Sequence, residues 1–228
     1  CLIHGLTKKI NFLYQFQERW LYFARYDRKR KIKKKDMRII KGVEYELLVE
    51  AVKSSYKEET NGYVLTCEIG VHEGHGSQIM LEEGRKKFQN FHHLGIDPYG
   101  NVQLGVSNKV KWNLKKDLIN YLEFHLMEMT DTEYMDKYRN GFIIYDEKPQ
   151  LLNRYTCVHF DGPQRTTDVL REVMFFCHRA HIGTTFCFND YKRYKMDIIV
   201  NLCSVYGFRV LKKGSRRYIM RKEYGVTT

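Results

Sequence analysis

The chain has 228 residues, with 39 Lys and Arg against 27 Asp and Glu, a formal net charge of +12 and a pI near 9.3. Its 43% hydrophobic and 14% aromatic residues exclude a disordered chain, and its three prolines and unperiodic glycines exclude a repeat-rich fibre. No apolar run approaches the roughly 18 residues of a membrane span, so a soluble, basic, globular protein with no membrane partner is expected.

Taken in chain order, residues 11–26 predict a helix, because Phe12, Leu13, Phe16, Trp20 and Phe23 recur at intervals of three and four. Gly42 to Ser55 is a second helical candidate, with Tyr45, Leu48, Val49 and Val52 on one stripe. Asn61-Gly62 signals a turn, and Tyr63 to Val71, rich in β-branched and aromatic residues, predicts a strand. Glu73-Gly74-His75-Gly76 reads as a polar, flexible loop. Leu81 to Leu94 predicts a helix stopped by Gly95 and Pro98, Val102 to Val106 a strand, and Leu114 to Met129 a helix with Leu118, Tyr121, Leu122 and Leu126 in step. Thr130-Asp131-Thr132-Glu133 is a capping box, and the helix it opens is expected to run to about Tyr145, before Pro149.

Further strands are expected over Tyr155–Phe160 and Thr184–Phe188, with a helix from Thr166 to Ala180. A helix from Lys195 to Tyr206, closed by Gly207, precedes a strand pair flanking Lys212-Lys213-Gly214-Ser215. The irregular alternation predicts an α+β fold of mixed helices and short antiparallel sheets. The expected division is a basic N-terminal half, 1–112, and an α+β half, 113–228, with one compact domain as the alternative.

Charge is concentrated. Arg25 to Lys41 holds ten Lys or Arg and two Asp, a net of +8, and Arg209 to Lys222 holds seven basic residues and no acid. Clustered positive charge on a folded domain is the footprint of a phosphate-binding surface. The expected contacts are Arg28, Lys29, Arg30, Lys31, Lys33, Lys34 and Lys35 in the first segment and Arg209, Lys212, Lys213, Arg216 and Arg217 in the second. DNA is the expected partner and RNA the alternative. A solvated basic face, or one meeting an acidic protein, remains open.

The six cysteines mostly sit in apolar or periodic runs, where a free thiol packs as a small hydrophobe; with no apolar leader at the first residues, an intracellular compartment is expected. Two sets of metal-type residues are Cys67, His72 and His75, and Cys157, His159, Cys177 and His181; neither has a standard zinc spacing. Neither a phosphate-binding Gly-x4-Gly-Lys-Ser/Thr loop nor a Gly-x-Gly-x2-Gly fingerprint occurs.

Tyr138 to Asp146, with Gly141-Phe142-Ile143 before the acid, resembles the motif helix of LAGLIDADG homing endonucleases. The strand from Arg154 to Phe160, the helix from Thr166, and Tyr194 to Met220 are similar to the pieces that follow in that family. Trp20 to Asp27 resembles a first motif helix, placing Asp27 and Asp146 119 residues apart. The resemblance implies two pseudo-symmetric αββαβ-like halves and a monomer. Asp27 and Asp146 are then the catalytic acids and the ligands of Mg²⁺, which activates water for phosphodiester hydrolysis. The resulting expectation is a metal-dependent, site-specific DNA endonuclease. Its alternatives are a non-catalytic factor on intron RNA or in viral replication or packaging, and an interaction protein. Asp146 merely closing a buried helix is the other reading of that residue.

Overall fold

A computed structural model describes residues 45–56, 62–100, 118, 121–145 and 148–225. The chain divides into two compact units, residues 39–142 with 152–228, and residues 1–38 with 143–151. Strands β4 (Phe142–Tyr145) and β5 (Pro149–Leu152), whose residues 143–151 fall in the second of these, pair as a two-stranded sheet.

The larger unit is built on a seven-stranded sheet. Its strands are β1 (Val64–Ile69), β2 (Phe91–Ile96), β3 (Phe124–Met127), β6 (Tyr155–Phe160), β7 (Ala180–Phe188), β8 (Phe208–Lys213) and β9 (Tyr218–Lys222). They lie in the order β3-β2-β1-β6-β7-β9-β8. The pairs β1–β2, β2–β3, β1–β6 and β6–β7 are parallel, whereas β9 runs antiparallel to both β7 and β8. Among the described residues five α-helices accompany it: α1 (Glu46–Ser54), α2 (His75–Lys87), α3 (Asp131–Lys137), α4 (Thr166–Cys177) and α5 (Met196–Val205).

The sequence dictates two covered faces. Alternate residues of a strand point to opposite sides, and both sides of β1 and β6 are apolar enough to be buried. On one side Cys157, Cys187 and Ile219 pack with Leu48, Ala51 and Val52 of α1 and Ile79 and Met80 of α2. On the other, Phe160 and Phe186 stand against aromatic neighbours: Phe176 of α4 lies edge-on to Phe160, and Phe208 stacks on Phe186 at 4.2 Å. All six residues of β1 and of β6 are buried as a result. The five described cysteines are buried, unbridged thiols, and no described helix is long and apolar enough to cross a membrane.

The α+β expectation is corrected to an α/β fold with a mostly parallel sheet. Two strands had been absorbed into predicted helices. Residues 91–96 are β2, not the end of a helix from Leu81, and residues 124–127 are β3, not the last turn of a helix from Leu114. Both carry apolar residues at spacings of two and three, which a helical stripe also accepts. The Thr130 capping box is present, with Thr130 Oγ1 accepting from Glu133 N at 3.1 Å and Glu133 Oε2 accepting from Thr130 N at 2.7 Å. Its helix nevertheless ends at Lys137, and Phe142–Tyr145 is a strand. No motif helix therefore ends at Asp146, and one seven-stranded sheet takes the place of the paired αββαβ halves. The predicted helix at 11–26 and strand at 102–106, and the proposed boundary at 112, lie outside the described residues.

Candidate functional site

The strand order reverses between β1 and β6: the chain leaves β1 through α2 towards β2 on one side, and leaves β6 through α4 towards β7 on the other. At such a switch point the loops diverge and leave a crevice at the carboxyl ends of the strands. Four loops meet this edge, after β1, β2, β6 and β7.

The β1 loop is shaped by glycine. Gly70 has φ +82° and Gly74 φ +87°, and between them His72 is held at φ +47°. A Cβ on Gly70 would meet Asp161 O at 2.4 Å, so this turn passes against the β6 loop at a distance no side chain allows. Gly74 caps α2 with no side-chain hydrogen bond, and in the first turn the Ser77 backbone amide donates to the Glu68 carboxyl. Gly76, in the first turn of α2, lies over Glu68; its Cβ would come within 1.9 Å of Oε1. Three backbone-permissive positions thus bring helix, strand and loop together here, and the left-handed His72 is strain of the kind that gathers at functional sites.

Asp97, directly after β2, faces this loop. It is 5% exposed; its Oδ2 accepts from His72 N at 2.9 Å, and its Oδ1 is buried with no hydrogen-bond partner. Burial raises its pKa, against the lowering effect of the His72 amide. Tyr99 closes the same corner by donating its hydroxyl to His72 O.

Beneath the loops runs a buried hydrogen-bonded chain. Ser77 Oγ donates to Glu68 Oε2 at 2.5 Å, so His93 Nε2–H donates to Ser77 Oγ at 3.0 Å and His93 Nδ1 accepts from Thr66 Oγ1 at 2.8 Å. Glu68 Oε1 lies 2.8 Å from His159 Nδ1, across the register pair Glu68–His159. Burial pushes Glu68 up to about 8, opposed by its hydrogen bonds from Ser77, and pushes His159 down to about 4 and His93 to about 3. Near neutrality Glu68 is therefore mostly protonated and both imidazoles are neutral, with one proton lying between Oε1 and Nδ1. His159 Nε2 is buried and has no hydrogen-bond partner.

Asp161 follows β6, and Asn189 Nδ2 donates to its Oδ1 at 2.5 Å. Burial raises the Asp161 pKa, opposed by His159, Asn189 and Arg217. Donor atoms of Glu68, His159 and Asp161 lie within 4.8 Å of one another, the one group among the described residues with a metal-binding arrangement. Glu68 and His159 already satisfy each other, however, and the nearby Arg217 supplies positive charge to both. The cluster is better suited to holding a proton than to holding a cation. The two metal-type sets from the sequence do not converge on such a group: His159 leaves its set for Glu68 and Asp161, and His181 Nε2 bonds with Thr156 Oγ1.

The predicted site residues are dispersed. Asp27, Asp146 and the segment Arg28 to Lys35 lie outside the described residues. Arg209, on β8, is exposed beside the Tyr224 ring; Lys212 pairs with Glu50 at 2.6 Å; Lys213 sits over Tyr191; and Arg216 pairs with Asp190 at 2.9 Å. Arg217 is only 3% exposed, with its guanidinium 4.3 Å from the Tyr45 ring centroid and its Nε and Nη1 without hydrogen-bond partners. It points into the fold instead of presenting itself to a backbone of phosphates. Sequence reasoning missed Glu68, Gly70, Gly74, Gly76 and Asp97. Their signal was a glycine cluster immediately after a strand and before a helix, with an acid closing the next strand.

No protein-family model matches the chain, and no curated protein matches it in sequence. Solved structures do. A precorrin-6y C5,15-methyltransferase from Geobacter metallireducens is 13% identical with a TM-score of 0.51, over 85% of this chain and 97% of that one. A protein from Corynebacterium glutamicum is 15% identical at 0.51, over 78% and 79%. A cofactor-bound Mycobacterium tuberculosis protein is 10% identical at 0.50, over 90% and 89%. The likeness is one of fold: the seven-stranded, mostly parallel sheet with flanking helices matches the Rossmann-like α/β fold of methyltransferases. It replaces the LAGLIDADG resemblance, and with it the reading of the chain as a homing endonuclease or a non-catalytic nucleic-acid factor. Mg²⁺ between Asp27 and Asp146 belonged to the endonuclease reading and goes with it.

Proposed function

We propose that the chain is a methyltransferase using S-adenosylmethionine. The observation that carries this reading is the buried, unpartnered Oδ1 of Asp97 at the end of β2, beside a glycine turn at the switch point. A carboxylate in that place is suited to accept hydrogen bonds from a ribose, and a partnerless buried oxygen is costly unless a ligand donates to it. The residues present fit a nucleoside-bearing cofactor: a carboxylate for the sugar, and a turn with glycines at 70 and 74 for close approach at the start of α2. When bound, S-adenosylmethionine supplies a methyl group on a positively charged sulfonium, open to attack by a nucleophile.

The chain's own residues have separable tasks. Asp97 orients the sugar. Gly70 and Gly74 let the backbone approach, and Gly76 lets α2 rest on Glu68. Glu68 and His159 hold one proton between them in a site closed to water. Asp161, the least buried of the three clustered groups, with a raised pKa, is the group best placed to take a proton from an acceptor's attacking atom.

Titration calorimetry with S-adenosylmethionine and S-adenosylhomocysteine tests the reading. One site per chain is expected for each, and no heat from either overturns it.

A further inference from the structure

The amino ends of β6 and β7, far along the strands from the switch point, frame a cavity of about 310 Å³ lined by Arg139, Asn140, Asn153, Arg154, His178 and Arg179. No carboxylate lines it. Arg179 is fixed by its neighbours: Nη1 donates to Phe175 O at 2.8 Å, Nη2 donates to Arg139 O at 2.6 Å, and the guanidinium lies 3.6 Å from the Phe175 ring centroid. Arg154 makes one long hydrogen bond, from Nη1 to Ala180 O at 3.4 Å. The same carbonyl accepts from the buried Lys222 Nζ at 3.2 Å.

Among the described residues neither Arg154, Arg179 nor Lys222 forms a salt bridge to a carboxylate, and Arg139 has only the exposed Asp136, at 3.9 Å. Carbonyl oxygens satisfy donors but do not neutralise charge. Lys222 and Arg179 both have lowered pKa values through burial, and for Lys222 the charge of Arg154 adds to the effect. A guanidinium cannot shed its proton near neutrality, so the exposed Arg139 and Arg154 and the partly buried Arg179 keep three positive charges around one depression, which favours an anion there. The walls of the cavity are amide, guanidinium and imidazole groups, which match a tetrahedral oxyanion better than a planar apolar ligand.

We infer that this cavity is an anion site that takes a phosphate group, with Arg179 as its fixed donor, Arg154 as a second donor and Arg139 at its rim. It lies away from the crevice that contains Asp97 and stands whether or not the chain transfers methyl groups. The phosphate belongs either to a small molecule or to the end of a nucleic-acid strand, and the probes separate these sources.

The full chain is titrated calorimetrically with inorganic phosphate, with a nucleoside 5′-monophosphate and with a 5′-phosphorylated single-stranded oligonucleotide. Saturable binding of one equivalent is expected. Binding of the first two identifies a small-molecule phosphate, and binding of the oligonucleotide alone identifies a strand end. Arg154→Gln is expected to weaken binding about tenfold, the effect of losing one charged hydrogen-bonding group. Lys213→Gln, on the β8–β9 hairpin, leaves it unchanged. If Arg154→Gln fails to fold, Arg139→Gln, whose side chain is largely exposed, carries the test with an expected loss of about threefold. No binding by any probe up to about 10 mM, or equal affinity in the wild type and the arginine variant, overturns the site.

Discussion

At the carboxyl ends of β1, β2 and β6 the chain gathers Glu68, Asp97 and Asp161, while at the amino ends of β6 and β7 it gathers Arg139, Arg154, Arg179 and Lys222. The buried carboxyls and the partly buried Arg179 meet the cost of burial differently, while Arg139 and Arg154 are exposed. Glu68 escapes by keeping its proton, pushed by burial to about 8, and burial raises Asp97 and Asp161 in the same direction. An arginine has no such route and leans on carbonyl oxygens, which leave its charge intact. The acidic end can therefore store and release a proton, whereas the basic end is suited to binding an anion. One sheet carries two chemistries because its strands begin and end among different loops.

The sharpest way to break this contrast is at the crowded acidic end. Gly70→Ala combines a positive φ with a backbone clash against Asp161 O, and should cost about 3 kcal/mol or more, a fall in Tm of about 6–12 °C. An unchanged melting curve would show that the β1 and β6 loops do not approach as described. Asp97→Asn keeps the shape but removes the charge, and should weaken S-adenosylhomocysteine binding by about 10- to 100-fold with little change in Tm. Equal affinity in calorimetry would remove Asp97 from the site.

The proton-holding pair gives a pH signature. Between 4.5 and about 8 the fold keeps a proton on Glu68 that the unfolded chain has released, so stability falls as pH rises through that window. His159, at about 4, and His93, at about 3, act in the opposite sense: below 6.5 the unfolded chain binds protons that the fold refuses, so stability rises with pH up to that value. Together these three groups place a stability maximum near 6.5. Glu68→Gln should flatten the decline between 6.5 and 8, measured by urea denaturation at a series of pH values; a decline equal to that of the wild type would contradict the buried, protonated Glu68. The smallest effect belongs far from both ends. Thr130→Ala removes the capping box of α3 and should cost about 1 kcal/mol, lowering Tm by about 2–4 °C.

The C-terminal elements were legible because their signals are local. Val169, Val173, Phe176 and Cys177 form a helical stripe, Gly207 stops α5 at φ +84°, and the β8–β9 pair flanks a basic turn. The parallel strands β2 and β3 were not. Buried parallel strands lack the alternation that marks a half-exposed strand, and His93 looked polar although Thr66 and Ser77 satisfy it in the core. Without those two strands the βαβ order disappears, and with it the reason to expect a parallel sheet. The site was lost for related reasons. Asp97-Pro98 looked like the end of a helix, and Gly74 and Gly76 like a loose loop. Glu68 and His159 are 91 residues apart, so only strand pairing brings them together.

The central claim is that the crevice between the β1 and β6 loops holds the nucleoside of a methyl-donor cofactor. A crystal structure of the chain with S-adenosylhomocysteine tests it directly. The account predicts the ribose hydroxyls on Asp97 Oδ1, beside Gly70 and the first turn of α2. The ligand seated elsewhere, or Asp97 Oδ1 still without a partner in a crystal that contains it, would contradict the account.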